Sequence, residues 1–161
     1  MDQYWVVVNL DKKEFITGHK LGTGVKLGDQ IGSGHGTPDA LFILCAAMRE
    51  RRGGGDFDWD SNYYGPERTN YHPMGAPVNN EYNVIAKRTI GRWAGDRVAV
   101  VGDYAEDSDL PNSPIPASKI YHMCREDRAD NFKDISADVA RVIEHEVGGK
   151  FEGEFASFKR R

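Results

Sequence analysis

The sequence predicts a single α+β domain, in which a mainly antiparallel sheet from two hairpins plus a C-terminal edge strand packs on a buried central helix and an amphipathic C-terminal helix. Three observations lead there. Strand-like runs come in pairs around short turns, YWVVVNL with EFI and VIAKRTIGRW with RVAVV. Few helices separate those runs, which argues against a doubly wound parallel sheet. With 161 residues, 39% hydrophobic and 29% charged, the chain is long enough to bury one core without disulfides or metals as staples.

β-Branched and aromatic residues fill positions 4 to 10, and Asp11-Lys12-Lys13 turns the chain so that Glu14-Phe15-Ile16 returns beside them. Residues 18 to 36 hold seven of the 18 glycines and predict a loop with at most a helical turn around VKLGDQI. Thr37 and Pro38 mark a helix start, Thr37 as the cap and Pro38 in the first turn, where a missing N–H costs nothing. The helix is expected over 38–51, closed by Gly53 to Gly55. Because ALFILCAAM is apolar on all sides, this helix should be the buried centre, with Cys45 a small core residue.

Residues 61–83 are dense in Asn, Tyr, Pro and Gly and predict a long surface excursion. RVAVV (97–101) reads as a central strand, Asp103 to Asp109 as an acidic loop, and PNSPIP as a rigid connector that cannot join a sheet interior. KIYHMC fits a short strand or a helical turn equally well. Ser136 is placed to cap a helix over 136–147, where Val139, Val142, Ile143 and Val147 share one face, Glu144-His145-Glu146 lies on the solvated side and Gly148 ends the run. FEGEF (151–155) alternates as a last edge strand.

A net charge of −4 and a pI near 5.7 provide no overall field toward nucleic acid or anionic lipid, and Lys159, Arg160 and Arg161 read as a solvated tail. No run approaches the ~18 apolar residues that span a bilayer. The charged DKKE directly after YWVVVNL does not fit a signal peptide, so the expectation is a cytoplasmic protein without a membrane partner. Cys45 and Cys124 are too few for a disulfide framework or a zinc site.

Chemistry could reside in three stretches. DFDWDSNYYGPE (56–67) puts Asp56, Asp58, Asp60 and Glu67 at places 1, 3, 5 and 12 of a calcium-loop pattern. Ser61 stands where that loop needs Gly, and Pro66 and Pro73 leave no room for a following helix. Period-two alternation offers another reading, an edge strand that buries Phe57 and Trp59 and leaves three aspartates in water; this is the reading we favour, with no cofactor and calcium as the alternative. A second acidic set, Asp103, Glu106, Asp107 and Asp109, would strengthen a cation site only if folding brought it alongside. Finally, GSGHGTPDALF (32–42) opens a helix with Gly32 to Gly36, where backbone N–H groups could hold a phosphate beside His35, but it has neither the P-loop Lys-Ser/Thr nor the dinucleotide fingerprint. His19, His35, His72, His122 and His145 form no metal-spaced pair, and His122 with Cys124 is no dyad on adjacency alone.

Through GRWAGDRVAVVGDYAEDSDLP (91–111), VVVNLDKKEFI and HKLG, the chain resembles a set of small uncharacterised microbial proteins that share NLDK, WAGDR and VGDY elements. The resemblance implies that Trp93, Asp96, Arg97, Asp103 and Tyr104 belong to one structural or functional unit, and it implies no activity. The structural alternative is that Trp93 packs, Gly95 and Asp96 turn, and Gly102 releases the chain from its strand.

The functional expectation is a non-enzymatic binding protein of the inhibitor or immunity kind. It would meet a basic partner protein through acidic surfaces and the Tyr/Asn-rich loop, with Trp59, Tyr63, Tyr64, Tyr71, Trp93, Asp96, Arg97, Asp103 and Tyr104 as contact candidates. The rival is a metal-dependent or phosphate-handling enzyme using loops 56–67 and 103–109 with the Gly-rich loop.

Overall fold

In a computed structural model of the chain, residues 2–47, 80–125, 131–152 and 158–160 are described. The Val-rich run forms β1 (Trp5–Asn9), and Asn9 makes the turn that follows, its side-chain oxygen accepting from the backbone N–H of Asp11 at 2.9 Å and of Lys12 at 2.8 Å. Lys13, at φ 56°, completes the reversal into β2 (Glu14–Ile16), which pairs antiparallel with β1 as expected.

A 3₁₀ turn (Gly18–Leu21) and the short α1 (Leu27–Gln30) occupy the glycine-rich region. α2 (Thr37–Leu44), α3 (Asn80–Thr89), β3 (Val98–Gly102), α4 (Ala117–Met123), β4 (Lys133–Asp134) and α5 (Ser136–Val147) follow. The four-stranded sheet has the order β3-β1-β2-β4, antiparallel except for β2 beside β4. β5 (Gly149–Phe151) and β6 (Phe158–Arg160) form a separate antiparallel pair.

Alternation along β1 divides the core. Val7, with Ile16, faces α2, α3 and α5, where Leu44, Trp93, Val139 and Ile143 fill the larger cluster. Val6 and Val8, with Phe15 and Val101, face α4 through Ile120 and Tyr121. The class is therefore α+β with a mainly antiparallel sheet, covered by helices on both faces. Among the described residues no helix is long and apolar enough to cross a membrane.

Several elements differ from expectation. The second hairpin does not form, because 80–89, which contains the start of VIAKRTIGRW, is helix α3. Tyr82, Ala86, Ile90 and Trp93 recur at helical spacing and are all buried, a 3.6-residue period hidden behind the β-branched pairs Val84-Ile85 and Thr89-Ile90. Residues 80–83 of the expected excursion are therefore helical, and 61–79 lie outside the described residues. Among the described residues β3 is an edge strand rather than a central one, and Val100 is 45% exposed.

α2 stops at Leu44, short of the expected 51, and Phe42 on it is 85% exposed, so the helix is not buried all round. Cys45 is exposed while Cys124 is buried, and burial pushes the Cys124 thiol up to about 12. Neither expected hydroxyl cap forms. Thr37 Oγ1 donates to Gln30 Oε1 at 3.0 Å, and Ser136 Oγ accepts from Thr17 N at 2.9 Å, while Asp134 Oδ1 takes the Ser136 N–H. KIYHMC lies in α4. Of FEGEF only Phe151 is in a described strand, and the C-terminal Phe158–Arg160 is strand rather than tail.

The face carrying Glu144, His145 and Glu146 is half-buried: Tyr82 donates its hydroxyl to Glu146 and stacks on His145 at 3.6 Å between ring centroids. α5 does end at Gly148 in the left-handed region, as predicted.

Candidate functional site

The hairpin turn and the loop before β3 bring NLDK and WAGDR together at one end of the β1–β3 ladder. Asn9, fully buried, donates through Nδ2 to Asp96 Oδ2 at 2.8 Å, and Lys12 pairs with the same carboxylate. Asp11 takes the backbone N–H of Arg97 at 2.6 Å and its guanidinium at 2.9 and 2.7 Å. The Arg97 hydrogen bonds hold Asp11 below the usual carboxylate range, and Lys12, with Asn9, does the same for Asp96. Glu14, 3% exposed, receives Arg92 as a fork at 2.9 and 2.5 Å and the Trp93 indole N–H at 3.0 Å. Within this corner each acid has a cation beside it.

The candidates Trp93, Asp96 and Arg97 thus serve the fold: Trp93 is fully buried and cannot touch a partner, while Asp96 and Arg97 are tied to the hairpin turn. Sequence reasoning missed Glu14 as their organiser. The signal was available, since an acid inside the strand run EFI has to find a partner.

The opposite end of the ladder carries VGDY. Asp103 N donates to Tyr4 O at 3.0 Å, and Tyr4 N donates to Asp103 Oδ1 at 3.1 Å, so the pair prolongs the ladder with a side chain. The loop then folds on its own carboxylates. Glu106 and Asp109 form a capping box around a 3₁₀ turn, and Asp107 Oδ1 accepts from Ser118 N at 3.1 Å in the first turn of α4. That Ser118 contact holds the Asp107 carboxyl below its ordinary value. Glu106, Asp107 and Asp109 remain exposed and Tyr104 is 56% exposed, so the loop is ordered by backbone N–H groups yet keeps its charge in water.

Beside Tyr4 lies a cleft of about 480 Å³ walled by Tyr4 and Tyr121, with His19, Lys26, Asp29 and Arg125 around it. Arg125 sits 6.0 Å over the Tyr121 ring. This cleft sets His19 of HKLG in one lining with Tyr4, the residue whose backbone pairs with Asp103 of VGDY.

The Gly-rich loop closes a second cleft of about 390 Å³, with Ser33, His35 and Asp29 on its wall. His35 Nδ1 lies 3.0 Å from Asp39 Oδ2, an arrangement that fixes the ring. Gln30, buried, holds the loop by donating to Trp5 O at 3.2 Å and Val25 O at 3.1 Å. The described lining contains Asp29 and neither Lys nor Arg, which suits hydrogen bonding better than a phosphate dianion.

Trp59, Tyr63, Tyr64 and Tyr71, and the cation candidates Asp56, Asp58, Asp60 and Glu67, lie outside the described residues, as does the proposed edge strand 56–60. Among the described residues, no three His, Cys, Asp or Glu side chains are grouped to hold a metal ion, and the acids of 103–109 are each turned to local N–H groups. Fold and site together define an α+β protein with an ordered acidic loop and exposed tyrosines. The chain matches no protein-family model, no curated protein and no solved structure.

Proposed function

We propose that this is a non-catalytic binding protein of the inhibitor or immunity kind, acting in the cytoplasm on a partner protein with a basic surface through the loop Asp103–Asp109 and the tyrosines Tyr4 and Tyr104. The observation that carries the reading is the loop itself: its acids are held by backbone N–H groups, so they face a partner already ordered and still charged. Exposed tyrosines supply contact area at low entropy cost, and flanking acids steer a basic patch. Two free cysteines fit a reducing compartment.

Affinity capture on the immobilised protein tests this. A partner should be held at low salt, released as salt rises, and held more weakly by Tyr104→Ala and by Glu106→Lys. Retention that ignores salt and both substitutions would overturn the reading.

The His35–Asp39 pair favours one rival, an enzyme that uses an oriented imidazole beside the Gly-rich loop. That reading predicts a rise in melting temperature with calcium, magnesium or a nucleotide, abolished by His35→Ala. No shift with any of the three would remove it.

A further inference from the structure

We propose that the cleft beside Tyr4 binds a nucleoside monophosphate, with its base against Tyr4 and Tyr121, its phosphate drawn by Lys26 and Arg125, and its ribose hydroxyls at Asp29. The cleft encloses about 480 Å³, within the range that takes small molecules. Its described lining sets Lys26, Arg125 and His19 against one acid, Asp29, in a chain whose net charge is −4. The cations here are a local exception to the charge of the whole.

Those cations are also open to exchange. Lys26 pairs with Asp2 at 3.1 Å, but both side chains are more than half exposed, and a surface pair of that kind yields to a phosphate at little cost. Arg125 stands 6.0 Å over the Tyr121 ring. A cation set over the ring that takes the base makes the cleft select a ligand carrying both an aromatic plane and an anion. A different cleft, of about 350 Å³ between α3 and α5, has Arg88, Arg92 and Lys133 on its wall. There Arg88 forks onto Asp138 and Arg92 onto Glu14, so two of the three cations are already neutralised.

The walls are in place before a ligand arrives. Tyr121 packs in the cluster of Val6 and Val8, and burial pushes its phenol up, which keeps the ring neutral beside an incoming base. The loop at Gly24 and Val25 is tied down through Val25 O, which accepts from Trp5 N at 2.8 Å and from Gln30 Nε2 at 3.1 Å. The Asp29 carboxylate lies where a Cβ on Gly24 would stand, so glycine there leaves the acid room against the loop. Asp29 brings an acceptor to the same lining as the cations, which suits a ribose diol and gives a plain aromatic acid nothing.

Calorimetric titration of the full chain with AMP, GMP, CMP and UMP tests the proposal. At least one should bind with a dissociation constant of roughly 0.01–1 mM. Against that nucleotide, Tyr4→Ala should weaken binding about tenfold by removing a stacking ring, and Arg125→Ala and Lys26→Ala about tenfold each by removing a charge from the phosphate. Lys26 and Arg125 are exposed, so these two variants keep the fold and serve if Tyr4→Ala does not. Ribose 5-phosphate and the parent nucleoside, each carrying half of the recognised chemistry, should bind at least tenfold more weakly. His35→Ala, on the neighbouring cleft, should leave the affinity unchanged, which separates this site from an imidazole-dependent enzyme. No binding of any of the four at ~2 mM, affinity indifferent to both Lys26→Ala and Arg125→Ala, ribose 5-phosphate matching the nucleotide, or loss of binding in His35→Ala would each overturn it.

Discussion

The two ends of the β1–β3 ladder hold similar numbers of acids and use them in opposite ways. At the Asn9 end, Asp11, Glu14 and Asp96 meet Arg97, Arg92 and Lys12, so charge is cancelled inside the fold. At the Tyr4 end, Asp103, Asp107 and Asp109 meet backbone N–H groups, which order a carboxylate without neutralising it. The difference teaches that the fraction of acidic residues says little about an acidic surface. What matters is whether the partner of each acid is a cation or a dipole.

The sharpest way to break the Asn9 end is Trp93→Ala. It removes a fully buried indole and takes a donor from the buried Glu14, and a loss of about 3–5 kcal/mol in urea unfolding is expected. Asn9→Ala comes next. The turn loses its acceptor for two N–H groups and Asp96 loses a donor, for about 1–3 kcal/mol in the same measurement.

Acid titration then compares the ends directly. Asp11, Asp96 and Asp107 all sit below the ordinary 3.8 when folded, so the unfolded chain binds protons first as pH falls. Stability from these groups is fully present above that value and is lost as pH drops through the folded values. Unfolding midpoints measured below about pH 4 should therefore fall. Added salt should weaken the share from Asp11 and Asp96, whose partners are cations, more than that from Asp107. Smallest in stability is Tyr104→Ala, expected within about 0.5 kcal/mol of wild type by thermal unfolding because the ring is exposed. Its effect should appear in partner capture alone.

Both what was legible and what was misread have physical reasons. The β1–β2 hairpin was readable because the Val-rich run and its charged turn are local features, and the Gly148 stop because only a left-handed residue ends α5 there. α3 was misread as a strand because its β-branched pairs mimic one over short windows, although Tyr82, Ala86, Ile90 and Trp93 carried the helical period. Cys45 was misplaced for a similar reason. Cys45 lies in an apolar run, yet it follows the last residue of α2, and solvent reaches it there.

Composition, local pattern and turn chemistry determined from sequence alone that this is an α+β chain with a leading hairpin and an amphipathic α5, and that WAGDR and VGDY flank one strand. Only the tertiary structure decided that β3 is an edge among the described residues, that Glu14 gathers Arg92 and Trp93, and that Asn9 meets Asp96. Those are contacts between residues about 80 positions apart, and no local propensity records them, because their energy exists only once the chain has closed the loops between.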